Sequence, residues 1–213
     1  MAAEEKTGTG RVWKYGDNIS TDHILPSRFM TQVEPHELAA NCMAGADRDF
    51  AKKVKPGDVL VAGYNIGYGS SREQAPQALK YAGVSAVIAK SFARIFYRNC
   101  YNVGLPAISC REFVDEVSEG DLVEVDLKEG SITNKTTGKS YHFIKPPEFL
   151  LDYIQLGGLI PYLEKLMAQG VKKERGHTCL SEKLLVTSDY CRTSEVGKRK
   201  SEKRDRNVPQ KIN

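Results

Sequence analysis

The chain has 213 residues, of which 40% are hydrophobic and 27% charged, with a formal net charge of +4. This length fits one domain with an appendage, because single domains commonly have about 100–150 residues. No apolar run approaches the roughly 20 residues that span a bilayer, and the acidic start MAAEEKTGTG resembles neither a secretion signal nor a transit peptide. The sequence therefore predicts a cytoplasmic protein without a membrane span.

The positive charge is concentrated in the C-terminal segment. From Gly170 onward the chain carries 12 of its 31 basic residues but only 6 of its 27 acidic ones. We predict one domain over residues 1–169 and a disordered basic tail over 170–213, because the latter lacks apolar periodicity. The basic runs at 198–200 and 203–204 are the basis for an alternative function, an RNA-binding module. The scarcity of aromatic residues between them argues against a nucleic-acid partner.

Strands and helices are predicted to alternate in the first half of the chain, and this alternation is typical of an α/β protein. We expect, in chain order, a strand over 11–15, a loop over 16–26, a helix over 34–40, a strand over 59–62, a loop over 63–69, a helix from Ser70 or Ser71 to Gly83, a strand over 84–89, a helix over 93–102 and a strand over 105–109.

The pattern changes after Gly120. Apolar and polar residues alternate over 122–127, 131–134 and 140–144, with turn residues between these segments, as is typical of antiparallel strands. Two further helices are predicted, from 146–147 to Tyr153 and over 159–167. Together the two halves predict an α/β fold with a mixed sheet.

The five cysteines, Cys42, Cys100, Cys110, Cys179 and Cys191, are widely spaced and include no CxxC pair. This spacing indicates neither a disulfide framework nor a metal or cluster site on this chain. We predict that the first three are small buried hydrophobic residues.

The glycine loop over residues 63–69, between a predicted strand and a predicted helix, indicates an anion site for a carboxylate or phosphate. No Gly-Lys-Ser/Thr follows, so the loop is not a P-loop, and its glycine spacing does not fit a dinucleotide fingerprint or a hydrolase elbow. Without further information the loop could equally be a tight turn in which Ser70 caps a helix.

Two longer strings are more specific than the glycine spacing. Residues 67–76 read GYGSSREQAP and residues 16–26 read GDNISTDHILP. They resemble the G-x-G-S-S-R-E-H/Q-A and T-D-x-I-x-P motifs of the aconitase superfamily. Their order and spacing resemble the small subunits of 3-isopropylmalate dehydratase, homoaconitase and dimethylmalate relatives. The resemblance covers roughly residues 12–167 and implies a three-layer β/β/α swivelling domain.

The resemblance implies catalytic roles for three residues. Ser70 would act as an alkoxide base that removes a proton from the carbon beside a substrate carboxylate. Asp22 would help to orient the acid–base chemistry around the leaving hydroxyl, and His23 is assigned to the same chemistry. A simpler interpretation of Asp22 is a turn former beside Thr21.

Four residues are implied in substrate binding. Arg72 has the planar fork that suits a carboxylate, although a surface ion pair with Glu73 is the alternative. Ser71 would donate a hydrogen bond to the alkoxide or to a carboxylate. Tyr68 stands where many relatives have cysteine or a small or acidic residue, so it would narrow the pocket or add a donor. Arg28 would contact the distal group of the substrate or be solvated.

The implied activity is that of a two-chain hydro-lyase that isomerises a hydroxy-dicarboxylate by dehydration and rehydration. The implied substrate pair is 3-isopropylmalate and 2-isopropylmalate, in leucine biosynthesis. A [4Fe-4S] cluster would be carried by a large subunit, because this chain lacks the three cysteines that the cluster needs. Homoaconitate and dimethylmalate stay open as alternative substrates, since a methyl-sized difference changes specificity only about 10–200-fold.

Overall fold

The computed structural model describes residues 9–168. The strands are β1 Gly10–Lys14, β2 Val59–Ala62, β3 Ala86–Ala89, β4 Ala107–Ser109, β5 Leu122–Asp126, β6 Ser131–Asn134 and β7 Ser140–His142. The helices are α1 Thr21–Ile24, α2 Pro35–Ala40, α3 Phe50–Lys53, α4 Gln74–Tyr81, α5 Arg94–Asn102, α6 Arg111–Glu116, α7 Glu148–Leu156 and α8 Leu159–Ala168. Within this range, no helix combines the length and apolarity that crossing a membrane requires. The tail predicted over 170–213 lies outside the described residues.

The seven strands form one mixed sheet in the order β4-β3-β2-β1-β5-β6-β7, which confirms the predicted fold class. Strands β1 to β4 pair in parallel, and β5, β6 and β7 continue the sheet through antiparallel pairs. Strand β1 is the change-over point, because it pairs in parallel with β2 on one side and antiparallel with β5 on the other.

Two hydrophobic cores lie on the two faces of the parallel strands, which confirms the three-layer arrangement. All four residues of β2 are buried. Val59 and Val61 pack in one core with residues of the antiparallel strands, such as Val125. The intervening Leu60 and Ala62 pack in the other core with residues from the helices. This division follows from the two-residue repeat of a strand, which directs successive side chains to opposite faces.

Three helices occur where no helix is predicted from local pattern: α1, α3 and α6. They have four, four and six residues, too few to show an apolar repeat. Such short helices are not stable alone, so contacts with other parts of the chain must hold them.

The three described cysteines are buried and free, as predicted. Burial raises the pKa of the Cys42 and Cys100 thiols. Their thiolate forms are therefore disfavoured, and both residues serve as packing groups in the core.

Asp58 connects β1 to the turn before β2. Its buried carboxylate accepts hydrogen bonds from the Arg11 amide at 3.0 Å, the Trp13 indole at 2.8 Å and the Lys55 amide at 3.0 Å. These bonds fix the start of the strand that leads into the glycine loop.

We predict that Asp58→Ala lowers the free energy of unfolding by about 3 kcal/mol or more, because three donors lose their acceptor at about 1–3 kcal/mol each. Asp58→Asn should cost less, since its amide keeps one acceptor oxygen. Urea denaturation measures both, with Asp152→Ala at an exposed position as the control. A loss below about 1 kcal/mol in Asp58→Ala would contradict a role for Asp58 in fixing this strand.

Candidate active site

The two motif segments meet at one edge of the sheet. The segment over residues 16–26 follows β1, and the glycine loop follows β2, its parallel neighbour. Backbone hydrogen bonds join them, from the Gly67 amide to the Ile19 carbonyl at 2.6 Å and from the Thr21 amide to the Tyr68 carbonyl at 2.9 Å. The carboxyl edge of parallel strands is the usual place for a ligand site in α/β sheets.

Gly67 is required by close packing as well as by backbone conformation. Its φ is +78°, a region that residues with a side chain rarely adopt. A Cβ at this position would lie 2.0 Å from the Phe96 ring on α5. The glycine therefore allows the motif loop to pass directly over that helix.

Arg72 is at the centre of the site. Its side chain is only 8% exposed. The Nη1 atom donates to the Asp22 carboxylate at 2.7 Å and to the Leu25 carbonyl at 3.3 Å. The Nη2 atom donates to the Ser70 hydroxyl at 3.3 Å and to the second Asp22 oxygen at 3.5 Å. The alternative of a surface ion pair between Arg72 and Glu73 is therefore wrong.

Helix α4 begins later than the sequence predicted. Its first residue is Gln74, its N-cap is Glu73, and no side chain caps it. The start predicted at Ser70 or Ser71 is wrong, and Ser70 is not a helix cap. Gly69 has a φ of +101°, outside the helical region, and residues 70–73 have no regular secondary structure before the helix begins.

The short helix α1 presents Asp22. The Ser20 hydroxyl accepts from the His23 amide, and the His23 Nδ1 accepts from the Ser20 amide, both at 3.1 Å. This capping box fixes the start of the helix and leaves the ring proton of a neutral His23 on Nε2. His23 thus has a structural role that its sequence context did not reveal.

The segment around Gly45 supports the far end of α1 and was missed by sequence reasoning. The Met43 amide donates to the Ile24 carbonyl at 2.7 Å, and the Gly45 amide donates to the His23 carbonyl at 3.1 Å. A Cβ on Gly45 would lie 2.2 Å from the Asp22 carbonyl oxygen. Only the glycine itself hinted at this contact, and an isolated glycine is also common in loops and at helix ends.

The electrostatics of the site follow from the pairing of Asp22 with Arg72. The hydrogen bond from Arg72 lowers the pKa of the Asp22 carboxyl below its ordinary value. Asp22 is therefore ionised at neutral pH and neutralises the buried guanidinium. The Ser70 side chain is exposed beside that guanidinium, where a positive charge favours loss of a proton from the hydroxyl.

The remaining predicted residues lie around this cluster and are not bonded to it through their side chains. Tyr68 is 39% exposed, and the Ser71 hydroxyl is exposed without a hydrogen-bond partner among residues 9–168. Arg28 is exposed, and its guanidinium lies 4.6 Å from the centroid of the Phe29 ring. The amide of the preceding Ser27 donates to Asp22 at 3.2 Å. The structure thus brings together Asp22, Ser70 and Arg72.

The described residues do not fit a metal cluster. Between residues 9 and 168, no three His, Cys, Asp or Glu side chains are grouped so that they could hold an ion. Cys42 and Cys100 lie in one core, and Cys110 lies in the other.

The ion pair between Asp22 and Arg72 affects how the stability of the fold depends on pH in the acid range. A carboxyl whose pKa is lower in the folded chain stabilises the fold above its ordinary pKa of about 4, and this stabilisation is lost as the pH falls through the folded value. We predict that Asp22→Asn removes this part of the pH dependence. Urea midpoints should therefore fall less steeply with decreasing pH in the variant than in the wild type.

The control is Asp152→Asn, because Asp152 is an exposed carboxylate on α7. The urea midpoint of this variant should fall with decreasing pH as steeply as that of the wild type. Identical acid profiles for Asp22→Asn and the wild type would show that the ion pair does not contribute to stability.

Comparison with known proteins gives a consistent result. Residues 15–112 match the Aconitase C-terminal domain family. The chain is 57% identical over 160 residues to the isopropylmalate/citramalate isomerase small subunit of Methanocaldococcus jannaschii, which covers 75% of this chain and 95% of that protein. It is 56% identical over 161 residues to the 3-isopropylmalate dehydratase small subunit of Nautilia profundicola, with 76% and 96% covered.

A solved structure of a related protein is also similar to this chain. The crystal structure of a 3-isopropylmalate dehydratase from Methanocaldococcus jannaschii superimposes with a TM-score of 0.74 at 48% sequence identity. The match covers 79% of this chain and 99% of that one.

Proposed function

The chain belongs to the family of 3-isopropylmalate dehydratase small subunits, and on this premise we propose that it is the small subunit of a two-chain hydro-lyase acting on isopropylmalate. It supplies the base and the groups that hold the base in place. The observation that carries the proposal is the Ser70 hydroxyl fixed beside Arg72, which Asp22 anchors.

Ser70 removes the proton from the carbon beside a substrate carboxylate. Its alkoxide takes up that proton during dehydration and returns it during rehydration, so the residue ends each cycle unchanged. A serine hydroxyl is a weak base, and the Nη2 atom of Arg72 at 3.3 Å provides the positive charge that stabilises the alkoxide. These residues explain how the proton is removed from carbon. They do not explain how the hydroxyl group departs.

Arg72 is held in one orientation by contacts on both arms. The contacts of Nη1 with Asp22 and Leu25 fix the plane of the guanidinium. Nη2 faces Ser70, so a substrate carboxylate close to Ser70 also comes within its reach. In this arrangement Asp22 positions Arg72. The Nδ1 atom of His23 already accepts a hydrogen bond, so only its Nε2 atom is available for acid–base chemistry.

A large subunit completes the site. Ser70, Ser71 and Arg28 are exposed, and the Asp22 side chain is 52% exposed. Proton removal from carbon benefits from a site that excludes water, and this chain leaves Ser70 open to solvent. By the family resemblance we propose that this partner carries the [4Fe-4S] group, and we propose a cytoplasmic location for the assembly.

The proposed substrate pair is 3-isopropylmalate and 2-isopropylmalate. Tyr68 and Arg28 flank the site and are the residues that would discriminate the distal group of the substrate. Homoaconitate, dimethylmalate and citramalate are the competing acids to compare. The alternative RNA-binding function rests on basic runs that lie outside the described residues.

We predict that the purified chain folds but does not turn over 3-isopropylmalate by itself. Adding a cluster-loaded large subunit should restore turnover, measured by the ultraviolet absorbance of the unsaturated acid. The large subunit alone is the control and should be inactive, because it lacks Ser70. Turnover by the purified chain with iron rigorously excluded would refute this division of labour.

Replacement of Ser70 separates the catalytic role from a structural one. We predict that Ser70→Ala in the reconstituted enzyme lowers kcat by about 10²–10⁴-fold with little change in KM, because the lost interaction acts in the transition state. Its melting temperature should stay near that of the wild type, since Ser70 is exposed and caps no helix. Arg72→Lys should lower both kcat and stability, because an ammonium cannot reproduce the fork.

The matched control is Ser140→Ala, an exposed serine on β7. Its kinetics and melting temperature should equal those of the wild type. Near-normal turnover in Ser70→Ala would remove Ser70 as the base.

A further inference from the structure

The pairing of β1 with β2 continues beyond the ends of the two strands. The Gly63 amide donates to the Gly16 carbonyl at 3.1 Å, and the Asn18 amide donates to the Tyr64 carbonyl at 2.8 Å. The Tyr64 amide donates in turn to the Asp17 carboxylate at 2.7 Å. Together with the two backbone bonds that join the motif segments further along, these contacts form a ladder. The two segments therefore run side by side from the strands to the candidate active site.

Each segment bends at one asparagine of this ladder. The φ angle of Asn18 is +58° and that of Asn65 is +60°. A left-handed backbone is unfavourable for residues with a Cβ, and asparagine is one of the few residues that adopt it. The ladder has hydrogen bonds both before and after the two asparagines, so neither bend interrupts the pairing. The two segments thus change direction together.

The side chains of the two asparagines are joined. The Asn65 Nδ2 atom donates to the Asn18 Oδ1 atom at 3.1 Å. The Asn65 amide donates to the hydroxyl of Ser91, which follows β3, at 2.9 Å. Both asparagines are exposed, so packing in a core does not explain them. We name the hydrogen bond between their side chains the asparagine clasp.

The left-handed residues are concentrated around the site. Between residues 9 and 168, three residues other than glycine have such a backbone, and the third is Met43. The Met43 amide holds the far end of α1 through its bond to Ile24. Backbone strain that persists at such places is typical of functional sites, where surrounding contacts must compensate for it.

We propose that Asn18 and Asn65 are positioning residues that keep Ser70 in register with Asp22. This role rests on the proposed function of Ser70 as the base. Asn18 lies four residues before Asp22, and Asn65 lies five residues before Ser70. If the two segments separated at the clasp, the Ser70 hydroxyl would move away from Arg72, which Asp22 holds in place.

The reaction is sensitive to such a movement. The bond from Arg72 Nη2 to the Ser70 hydroxyl is 3.3 Å long, and hydrogen bonds weaken beyond about 3.2 Å. A misplacement of about 1 Å can lower a catalysed rate about 10²-fold. Binding of a substrate carboxylate by Arg72 does not require the Ser70 hydroxyl. Loss of the clasp should therefore lower kcat more than it raises KM.

A double-mutant cycle in the reconstituted enzyme tests the clasp. Asn18→Asp keeps an acceptor for the Asn65 side chain, and in Asn65→Asp the Asn18 side chain can turn its NH₂ group towards the new carboxylate. Each single variant should keep kcat within about threefold of the wild type, because a hydrogen bond is retained. In Asn18→Asp/Asn65→Asp two carboxylates face each other without a donor. Its kcat should fall about 30-fold or more with KM within about threefold of the wild type.

Amide hydrogen exchange on the full chain reports on the register without any need for activity. In the double variant the amides of Gly67 and Thr21 should exchange about tenfold faster or more, because they form the ladder beyond the clasp. The amides of Arg11 and Lys55, which donate to Asp58, should exchange as in the wild type. Their unchanged exchange shows that the fold is intact.

The matched control is Thr137→Asp/Gln155→Glu. It adds the same two negative charges at exposed positions, one in the turn between β6 and β7 and one on α7. Its kcat, its KM and its exchange at Gly67 and Thr21 should equal those of the wild type.

Three results would overturn the proposal. The first is a loss of kcat in the double variant no larger than the product of the losses in the two single variants. The second is identical exchange at Gly67 and Thr21 in the double variant and the wild type. The third is faster exchange there with unchanged kcat, which would make the clasp a structural contact only. Near-normal turnover in Ser70→Ala is a separate result, because it would remove the base, and this proposal with it, even where exchange responds as expected.

Discussion

The ion pair between Arg72 and Asp22 is the interaction on which the site depends. It joins residues 50 positions apart, one from each motif segment. A buried guanidinium needs a counter-charge, and removal of one partner from such a pair is costly. With Asp22 in place, Arg72 stays inside the protein, and Ser70 lies in an exposed loop beside a fixed positive charge. The geometry of the proposed base is therefore a consequence of this pair.

The sheet makes the pair possible. Strands β1 and β2 are parallel neighbours, so the segments that follow them leave from the same edge. Asp58 holds the start of this arrangement, and Gly67 lets the loop pass close over α5 at its end. The antiparallel strands cover the opposite face and leave the carboxyl edge for the two loops. The scaffold thus places a cation, a carboxylate and a hydroxyl together without using a cysteine or a metal ligand.

The surface of this chain around Ser70 is open to solvent. It is polar, and it holds the proposed base beside Arg72. Such a surface fits a partner that brings the remaining chemistry and excludes water.

The sequence by itself determined the alternation of strands and helices, the antiparallel second half, the buried cysteines and the two motifs with their residues Asp22, Ser70 and Arg72. Short-range sequence patterns encode these features, namely two-residue and 3.6-residue apolar repeats and contiguous motif residues. The tertiary structure alone decided the helix at α1, the contact of Gly45 with Asp22, the burial of Arg72 and the late start of α4. Each of these depends on contacts between residues that are distant in sequence or on an energetic competition between local propensity and such contacts, and a local pattern does not encode them.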